Sequence, residues 1–423
     1  MKENPTPPEP PPPVPPPAVP RAVLRPAVEL YLDVHAHPEL SGTERRTADR
    51  FAARLEASGC TVTRKVGGGH GLVGVLRNGA GPTVMLRTEL DALPVTERTG
   101  LAYASTVPGV MHACGHDLHL AAVAGAVAEL SRTRSGWSGT VLVVGQPAEE
   151  TLTGARDMLA DGLYERFGTP DAVLAQHSSP APAGTLAHAV DFRIPLMAAS
   201  AAVDVTLYGR GGHAGTPHLA VDPVLAAAAT VLRLQSVVSR ETAPAEQAVL
   251  SVGMLRAGER GNVIPETAEL ALCLRALSEP VLDRMTAAAL RIVTAESAAS
   301  GCPREPDFAV TARSPALLTD AAATASVRGA HEALFGPERV ADCGPLTATE
   351  DFSAFGSGGV ATVYWMLGVT GVRQWRAARG GGPRVPPNHA PEFAPDVRTA
   401  LPAGIAAMAS AAGQVLAPEG GTP

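Results

Sequence analysis

Residues 111–150 read MHACGHDLHLAAVAGAVAELSRTRSGWSGTVLVVGQPAEE. The stretch carries a helical pattern from Asp117 to about Leu130, then a continuous apolar run at 140–144 of the kind a buried strand shows. Met111-His112-Ala113-Cys114-Gly115-His116-Asp117 opens it, and Gln146-Pro147-Ala148-Glu149-Glu150 closes it. Residues that carry chemistry therefore flank one helix–strand unit. A second helical pattern near 155–167 leads to another apolar run at 172–175. Strands alternating with helices of this length predict an α/β sheet.

Upstream, Ser41 and Glu44 form a candidate capping box for a helix running to about Ser58, with Gly59 as its stop. Short β-like runs at 72–76 and 84–86 flank the turn signal Asn78-Gly79. The texture changes between about 195 and 305. Segments 202–207, 223–234, 248–255, 270–274 and 281–294 read as strand, helix, strand, strand, helix, and Asp222 before Pro223 is a start signal for the first helix. That order predicts a small α+β domain inserted into the larger one. The chain then returns to a helix near 320–334, a strand at 361–367 and a last helix from about Pro395. At the amino terminus, residues 1–24 centre on PPEPPPPVPPP and are expected to form a disordered tail outside the fold. The expected division is thus 1–24 tail, 25–193 first part of the main domain, 194–307 insertion and 308–418 second part.

A chain of 423 residues with 45% apolar and 18% charged residues has material for two domains. Lys plus Arg number 34 against 41 for Asp plus Glu, a net charge of -7, which disfavours nucleic acid or anionic membrane as partner. No run reaches the roughly 18 apolar residues of a membrane span. Cys60, Cys114, Cys273, Cys302 and Cys343 are odd in number and scattered, unlike a disulfide framework. Proline dominates residues 1–20, where a signal peptide would need an apolar stretch. The expected location is the cytoplasm.

Cys114 and His116, separated by a glycine, can aim a thiolate and an imidazole at one point, donors suited to zinc, cobalt and related ions. A buried cysteine beside ordinary loop histidines fits the same pattern. Glu149 and Glu150 sit at a strand's carboxyl end, where α/β folds gather function. In a regular strand they would face opposite ways, but Pro147 and the strand end favour an irregular loop. One carboxylate would then bind metal while the other handles a proton; a solvated acidic turn is the plainer alternative. His177 follows the run 172–175, and His389 lies in Asn388-His389-Ala390-Pro391-Glu392-Phe393. Each histidine alone reads as a hydrogen-bonded structural residue. Together Cys114, His116, Glu150, His177 and His389 give five candidate ligands. A single catalytic zinc takes about three protein ligands, so five with a spare carboxylate suit two metals sharing a water. A competing motif, Gly69-His70-Gly71-Leu72-Val73-Gly74, matches the dinucleotide fingerprint but runs into strand and turn instead of a helix, which argues against a nucleotide site.

With these motifs in order, the chain resembles the amidohydrolases of the aminoacylase and carboxypeptidase G superfamily, in the branch of hippurate hydrolase and the indole-acetyl-amino-acid hydrolases. The matching segments are DVHAHPELSGTE (33–44), RTELDALPVTERTGLAYAS (87–105), MHACGHDLH (111–119), GQPAEE (145–150), QHSSP (176–180), GRGGHAGTPH (209–218), GNVIP (261–265), TEDFS (349–353) and NHAPEF (388–393). The resemblance implies an α/β/α catalytic domain with a central mixed sheet, and an inserted lid or dimerisation domain. It implies two divalent ions per subunit (zinc, manganese or cobalt) on Cys114, His116, Glu150, His177 and His389. Glu149 would be the general base acting on a metal-bridging water, and Asp91 would support the ligands. His213 would help hold the tetrahedral intermediate, reaching an active site across a homodimer. Asn262 and Arg275 would grip the carboxylate of the amino-acid half. His112, His119, Asp117, Asp351 and Ser353 belong to the motifs without an assigned step. Two departures stand out: Glu89 where many relatives have Asp, and Ser178-Ser179-Pro180 where a more apolar residue follows the histidine. The expected reaction is hydrolysis of an N-acyl amino acid to a carboxylic acid and a free amino acid. Its rivals are a dipeptidase or carboxypeptidase of the same superfamily, an amidase using Cys114 as nucleophile, and a non-catalytic binding relative.

Overall fold

The computed structural model describes residues 17–417. The chain forms two compact units: residues up to 192, 319–344 and from 355 onward in one, Arg193–Leu318 with Pro345–Ala354 in the other. In chain order the first unit begins with α1 (Arg21–Ala36), α2 (Arg45–Ala57), β1 (Thr61–Val66), β2 (Gly71–Asn78) and β3 (Thr83–Glu89). It continues with α3 (His116–Arg132), β4 (Gly139–Gln146), α4 (Gly154–Ala160), α5 (Leu163–Phe167), β5 (Ala172–Pro182) and β6 (Leu186–Ala189). The second unit holds β7 (Ala199–Tyr208), β8 (Gly212–His213), α6 (Pro223–Ser236), β9 (Ala248–Ala257), β10 (Val263–Ile264), β11 (Thr267–Ala276), α7 (Glu279–Ala299) and β12 (Asp307–Ser314). The first unit resumes with α8 (Ala321–Phe335), β13 (Val340–Cys343), β14 (Ala361–Thr370), α9 (Val372–Arg379) and α10 (Val397–Leu416).

The first unit is built on a mixed eight-stranded sheet in the order β1-β2-β4-β3-β5-β14-β6-β13. Its inner strands β4, β3, β5 and β14 run parallel. One set of alternating residues, including Leu72, Leu86, Val143, Leu174 and Trp365, shares a core with Leu30 of α1, Phe51 of α2, Leu118 of α3, Val327 of α8 and Ile405 of α10. The opposite set, including Val73, Met85, Leu142, Val173 and Tyr364, is buried as well. Burial on both faces is why these strands read as unbroken apolar runs instead of alternating ones. α10 is long and apolar enough by composition to cross a membrane, yet it lies against α3 and the sheet with most of its length inside the core.

Two local expectations change, while the Asn78-Gly79 turn holds, with Gly79 at φ 83°; β4 lies between β2 and β3 and pairs with both. The Asn78 side-chain amide donates to the carbonyls of Arg134 (2.6 Å) and Trp137 (2.5 Å), tying the end of β2 to the connection that leads into β4. α1 starts at Arg21, within the span 1–24 assigned to a tail, and buries Val23, Ala27, Leu30, Tyr31 and Val34 at helical spacing. Residues 1–16 of that tail lie outside the described residues. The second unit also runs past the expected limit of 307, because β12 pairs with β7.

That second unit is a four-stranded antiparallel sheet, β12-β7-β11-β9, with α6 and α7 packed through Val203, Val205, Leu270, Leu272, Leu282 and Met285. Asp222 caps α6, its carboxylate accepting from Val224 N at 2.9 Å. The short strands β8 and β10 pair beside this sheet and place His213 opposite Val263.

Candidate metal centre

Connections of the first unit meet beyond the carboxyl ends of β3 and β4 and beside His177 within β5: Asp91 after β3, the segment before α3 with Cys114 and His116, the segment 147–153 after β4, and the segment before α10 that carries His389. This is the end of an α/β sheet where ligands gather. Cys114, His116 and His177 offer donor atoms that all lie within 4.8 Å of one another. The same holds for Cys114, Glu150 and His389, and for His116, Glu149 and Glu150. All five candidate ligands and Glu149 are thus brought into one overlapping cluster. Cys114 Sγ is 3.5 Å from His177 Nε2, and Glu150 Oε1 is 3.8 Å from His116 Nε2 and 3.5 Å from His389 Nε2.

The backbone is bent to achieve this. Ala148 (φ 52°) and His389 (φ 70°) occupy the left-handed region that non-glycine residues avoid, one beside Glu149 and the other at a candidate ligand. Gly115 sits at φ 82° just ahead of α3, and a Cβ there would meet Ser178 Oγ at 2.7 Å. A glycine between Cys114 and His116 is therefore required both by conformation and by space.

Hydrogen bonds orient the donors toward a common point. His116 Nδ1 bonds the carbonyl of Asp91 at 2.9 Å and His177 Nδ1 bonds that of Ser178 at 2.9 Å. A carbonyl only accepts, so each ring carries a proton on Nδ1 and turns Nε2 toward the cluster. His116 Nε2 is buried without a hydrogen-bond partner, the state of a donor atom built to bind a cation. Burial, reinforced by the Glu150 carboxylate, pushes the Cys114 thiol up to about 11, and burial pushes His177 down to about 3. Burial opposes charge on His116 too, but the Asp91 carboxylate outweighs it and holds that ring well above the usual histidine range. Burial thus disfavours charge on Cys114 and His177, while the surroundings of His116 favour positive charge on that ring. Thiolate, imidazole and carboxylate donors at this spacing fit divalent metal.

Asp91 is the hub around the ligands. One oxygen accepts from Ser41 Oγ (2.7 Å) and Glu150 N (3.0 Å), and the other lies 3.5 Å from His116 Nδ1. Ser41 and Glu44 consequently do not form the capping box. Ser41 turns to Asp91, and Glu44 accepts from Gly42 N at 2.7 Å and from Ala148 N at 2.9 Å, which holds the strained residue before Glu149. His119 Nε2 accepts from Ser178 N at 2.8 Å, so its Nδ1 donates to Glu89 at 3.0 Å. Burial opposes the Glu89 charge, but Arg87 and His119 keep the carboxylate ionised. Arg87 bonds Gln146 at 2.8 Å and joins β3 to β4. Ser178, the departure noted after His177, donates its hydroxyl to the Cys114 carbonyl at 2.7 Å, and Asn388 bonds that same hydroxyl at 3.2 Å. No sequence motif signals these roles beyond the residues' neighbourhood to the ligands. His112 is buried with neither ring nitrogen bonded, and burial lowers it to about 4.

The other three expected residues belong to the second unit and are described within it. His213 and Asn262 are exposed and adjacent, Asn262 O accepting from Ala214 N at 3.1 Å. Arg275 on β11 donates to Thr347 O at 2.8 Å and lies 3.5 Å from Cys273 Sγ.

Behind α3, buried His35 bonds Asp117 at 2.6 Å and approaches Glu97 at 3.4 Å. Burial alone would lower its pKa, but the two carboxylates raise it to about 9. Raised above its free value of 6.5, His35 contributes about 3 kcal/mol that is full below pH 6.5 and lost as pH climbs through 9. The melting temperature is expected to fall between pH 7 and 9.5, and His35→Gln to lower it at pH 7 and flatten that limb. A wild-type profile level across the interval would refute the pairing.

Residues 85–386 match Peptidase family M20/M25/M40. An N-acetylcysteine deacetylase of Bacillus subtilis is 31% identical over 82% of this chain and 89% of its own length. The hippurate hydrolase of Campylobacter jejuni is 38% identical over 58% of this chain and 62% of its own. Among solved structures, a dinuclear metal-binding peptidase of the M20 family from Bacillus subtilis superposes with a TM-score of 0.72 at 26% identity, covering 94% of this chain and 99% of that one.

Proposed function

The chain belongs to peptidase family M20/M25/M40, and from that premise we propose a two-metal amidohydrolase that cleaves N-acyl amino acids to a carboxylic acid and an amino acid. The observation that carries this reading is the convergence of Cys114, His116, Glu150, His177 and His389 with Glu149 inside the same cluster. These five residues would hold two divalent ions, with zinc, manganese or cobalt matching the donors. Such ions lower the pKa of water toward about 7 and polarise a scissile carbonyl. The chain's own groups do the rest. Glu149 accepts a proton from the attacking water as its oxygen bonds to the carbonyl carbon, and returns that proton to the amine nitrogen as the C–N bond breaks. Asp91 holds His116 and the backbone of Glu150 in place. His213 is assigned to the developing oxyanion, and Asn262 and Arg275 to the substrate carboxylate.

A homodimer fits the second unit's surface. Leu225 and Leu232, 66% and 76% exposed, share the outer side of α6, and β9 is an edge strand. His213 would then be supplied across the dimer. Five free cysteines, none disulfide-linked, accord with a reducing cytoplasm.

The test is metal analysis joined to hydrolysis of N-acetyl, N-benzoyl and long-chain N-acyl amino acids beside dipeptides, before chelation, after it, and after metal add-back. The expected result is about two metals per chain and activity lost to chelator and restored by Zn²⁺, Mn²⁺ or Co²⁺. Preference for dipeptides would move the enzyme to the peptidase side of its family. Metal-free protein whose activity ignores chelator would overturn the reading and leave Cys114 as nucleophile.

A further inference from the structure

A cavity of about 480 Å³ opens in the first unit between the start of α2 and the β1–β2 connection, lined by Arg45, Ala48, Asp49, Arg64, Lys65 and His70. Three cations and a histidine thus border one space against the carboxylate of Asp49, in a chain whose net charge is -7. The neighbouring arginines of α2 are compensated: Arg46 and Arg50 each bind Asp33 at 2.7 Å, and Arg54 lies 3.3 Å from Glu29. Arg64 is held by Glu56 at 2.8 Å and lies 3.8 Å from Asp49. The side chains of Arg45, Lys65 and His70 make no hydrogen bond or ion pair with any described residue.

The backbone is arranged to gather these charges. Lys65 stands at φ 61°, where the β1–β2 register breaks between Arg64 and Val66. A regular strand would turn Arg64 and Lys65 to opposite faces; the irregularity lets both line the cavity. Residues with a Cβ avoid that φ, and such strain persists where the surrounding structure imposes it. The turn that follows is packed closely, since a Cβ on Gly71 would lie 3.2 Å from Pro147 Cδ. At the head of α2 the N–H groups of Arg46 and Thr47 are taken by Glu39 at 3.1 and 2.8 Å. The positive charge is therefore that of side chains, and the Gly69–Gly74 motif contributes a turn and the start of β2. An arginine fork and an ammonium group without carboxylate partners suit a phosphate dianion. The volume, within the range of small-molecule pockets, leaves room for the organic group that the phosphate carries.

We propose that this cavity is a binding site for a small phosphate monoester, with Arg45 and Lys65 holding the phosphate and His70 and Arg64 beside it. The site stands apart from the candidate metal ligands and does not depend on the amidohydrolase reading above.

The test uses the fact that Lys2 and Lys65 are the chain's two lysines. Pyridoxal 5′-phosphate joins a phosphate monoester to an aldehyde; the aldehyde condenses with an amine, releasing water, and borohydride reduces the imine to a stable secondary amine. The full chain is treated with pyridoxal 5′-phosphate or with pyridoxal, and modification of Lys65 is read by peptide mass spectrometry. The free peptide 61–70, treated in parallel, supplies the reagents' own preference. After that correction Lys65 is expected to react about tenfold or more faster with the phosphate-bearing reagent. Ribose 5-phosphate should protect Lys65 where ribose does not, and added salt should weaken both effects. Arg45→Gln, at an exposed side chain, should bring the corrected ratio toward one, and Arg45→Lys should restore part of it. A corrected ratio near one, labelling that ribose 5-phosphate leaves untouched, or a ratio unchanged in Arg45→Gln overturns the proposal. The wild-type ratio and its protection decide the matter even if a variant fails to fold.

Discussion

Glu149→Gln is expected to reduce turnover by about 10²- to 10⁴-fold, the range for loss of a positioned general base, with metal content unchanged. Glu149 is 5% exposed and its Oε2 lies 3.7 Å from His116 Nε2, so it faces the ligand cluster from a nearly dry position. Glutamine matches its size and can still hydrogen-bond, but it cannot accept a proton at neutral pH. The deficit should therefore fall on kcat, since the lost interaction belongs to the transition state. Kinetics and metal analysis on one preparation read both quantities. Turnover within tenfold of wild type, metal intact, would remove Glu149 from the role of base. Loss of metal together with activity would place it among the ligands.

The second large effect is expected at Asp91, which stands beside the candidate ligands. Asp91→Ala should weaken metal affinity by about 10- to 100-fold, the usual consequence of removing a carboxylate that orients ligands. Three connections depend on this side chain: the Ser41 hydroxyl, the Glu150 amide and the His116 imidazole. Without it the ring that presents Nε2 loses its neighbouring charge, and Glu150 loses the anchor of its backbone. Burial opposes ionisation of Asp91, yet His116 and Ser41 hold its carboxyl below the ordinary range, so the charge is present at neutral pH. Asp91→Asn keeps an acceptor and loses the charge, and should fall between alanine and wild type. Competition against a chelator of known affinity gives the result; wild-type affinity in the alanine variant would rule out Asp91 as an organiser of the centre.

Much of the candidate centre was legible because its candidate donors are chemically rare and sit next to strong local signals. Cys114 and His116 precede a well-patterned helix, Glu149 and Glu150 end a buried apolar strand, and His177 follows another. Their meeting at one end of the sheet's inner strands follows from parallel pairing, which places successive carboxyl ends on the same side. The supporting residues were illegible for the opposite reason. Ser41 and Glu44 carry a local pattern that a helix start would satisfy, and only long-range competition from Asp91 and Ala148 redirects them. Asn78-Gly79 is likewise a sound turn signal that is silent about which strand will lie next to β2.

By itself the sequence determined the alternation of helix and strand and named the candidate donors, since periodicity, cap residues and side-chain chemistry are local properties. Tertiary structure alone decided that β4 separates β2 from β3 and that Asp91 joins Ser41 to Glu150. Those are choices among partners far apart in the chain. Backbone donors and acceptors are alike along every strand, so it is packing of the whole sheet, and no single segment, that selects them.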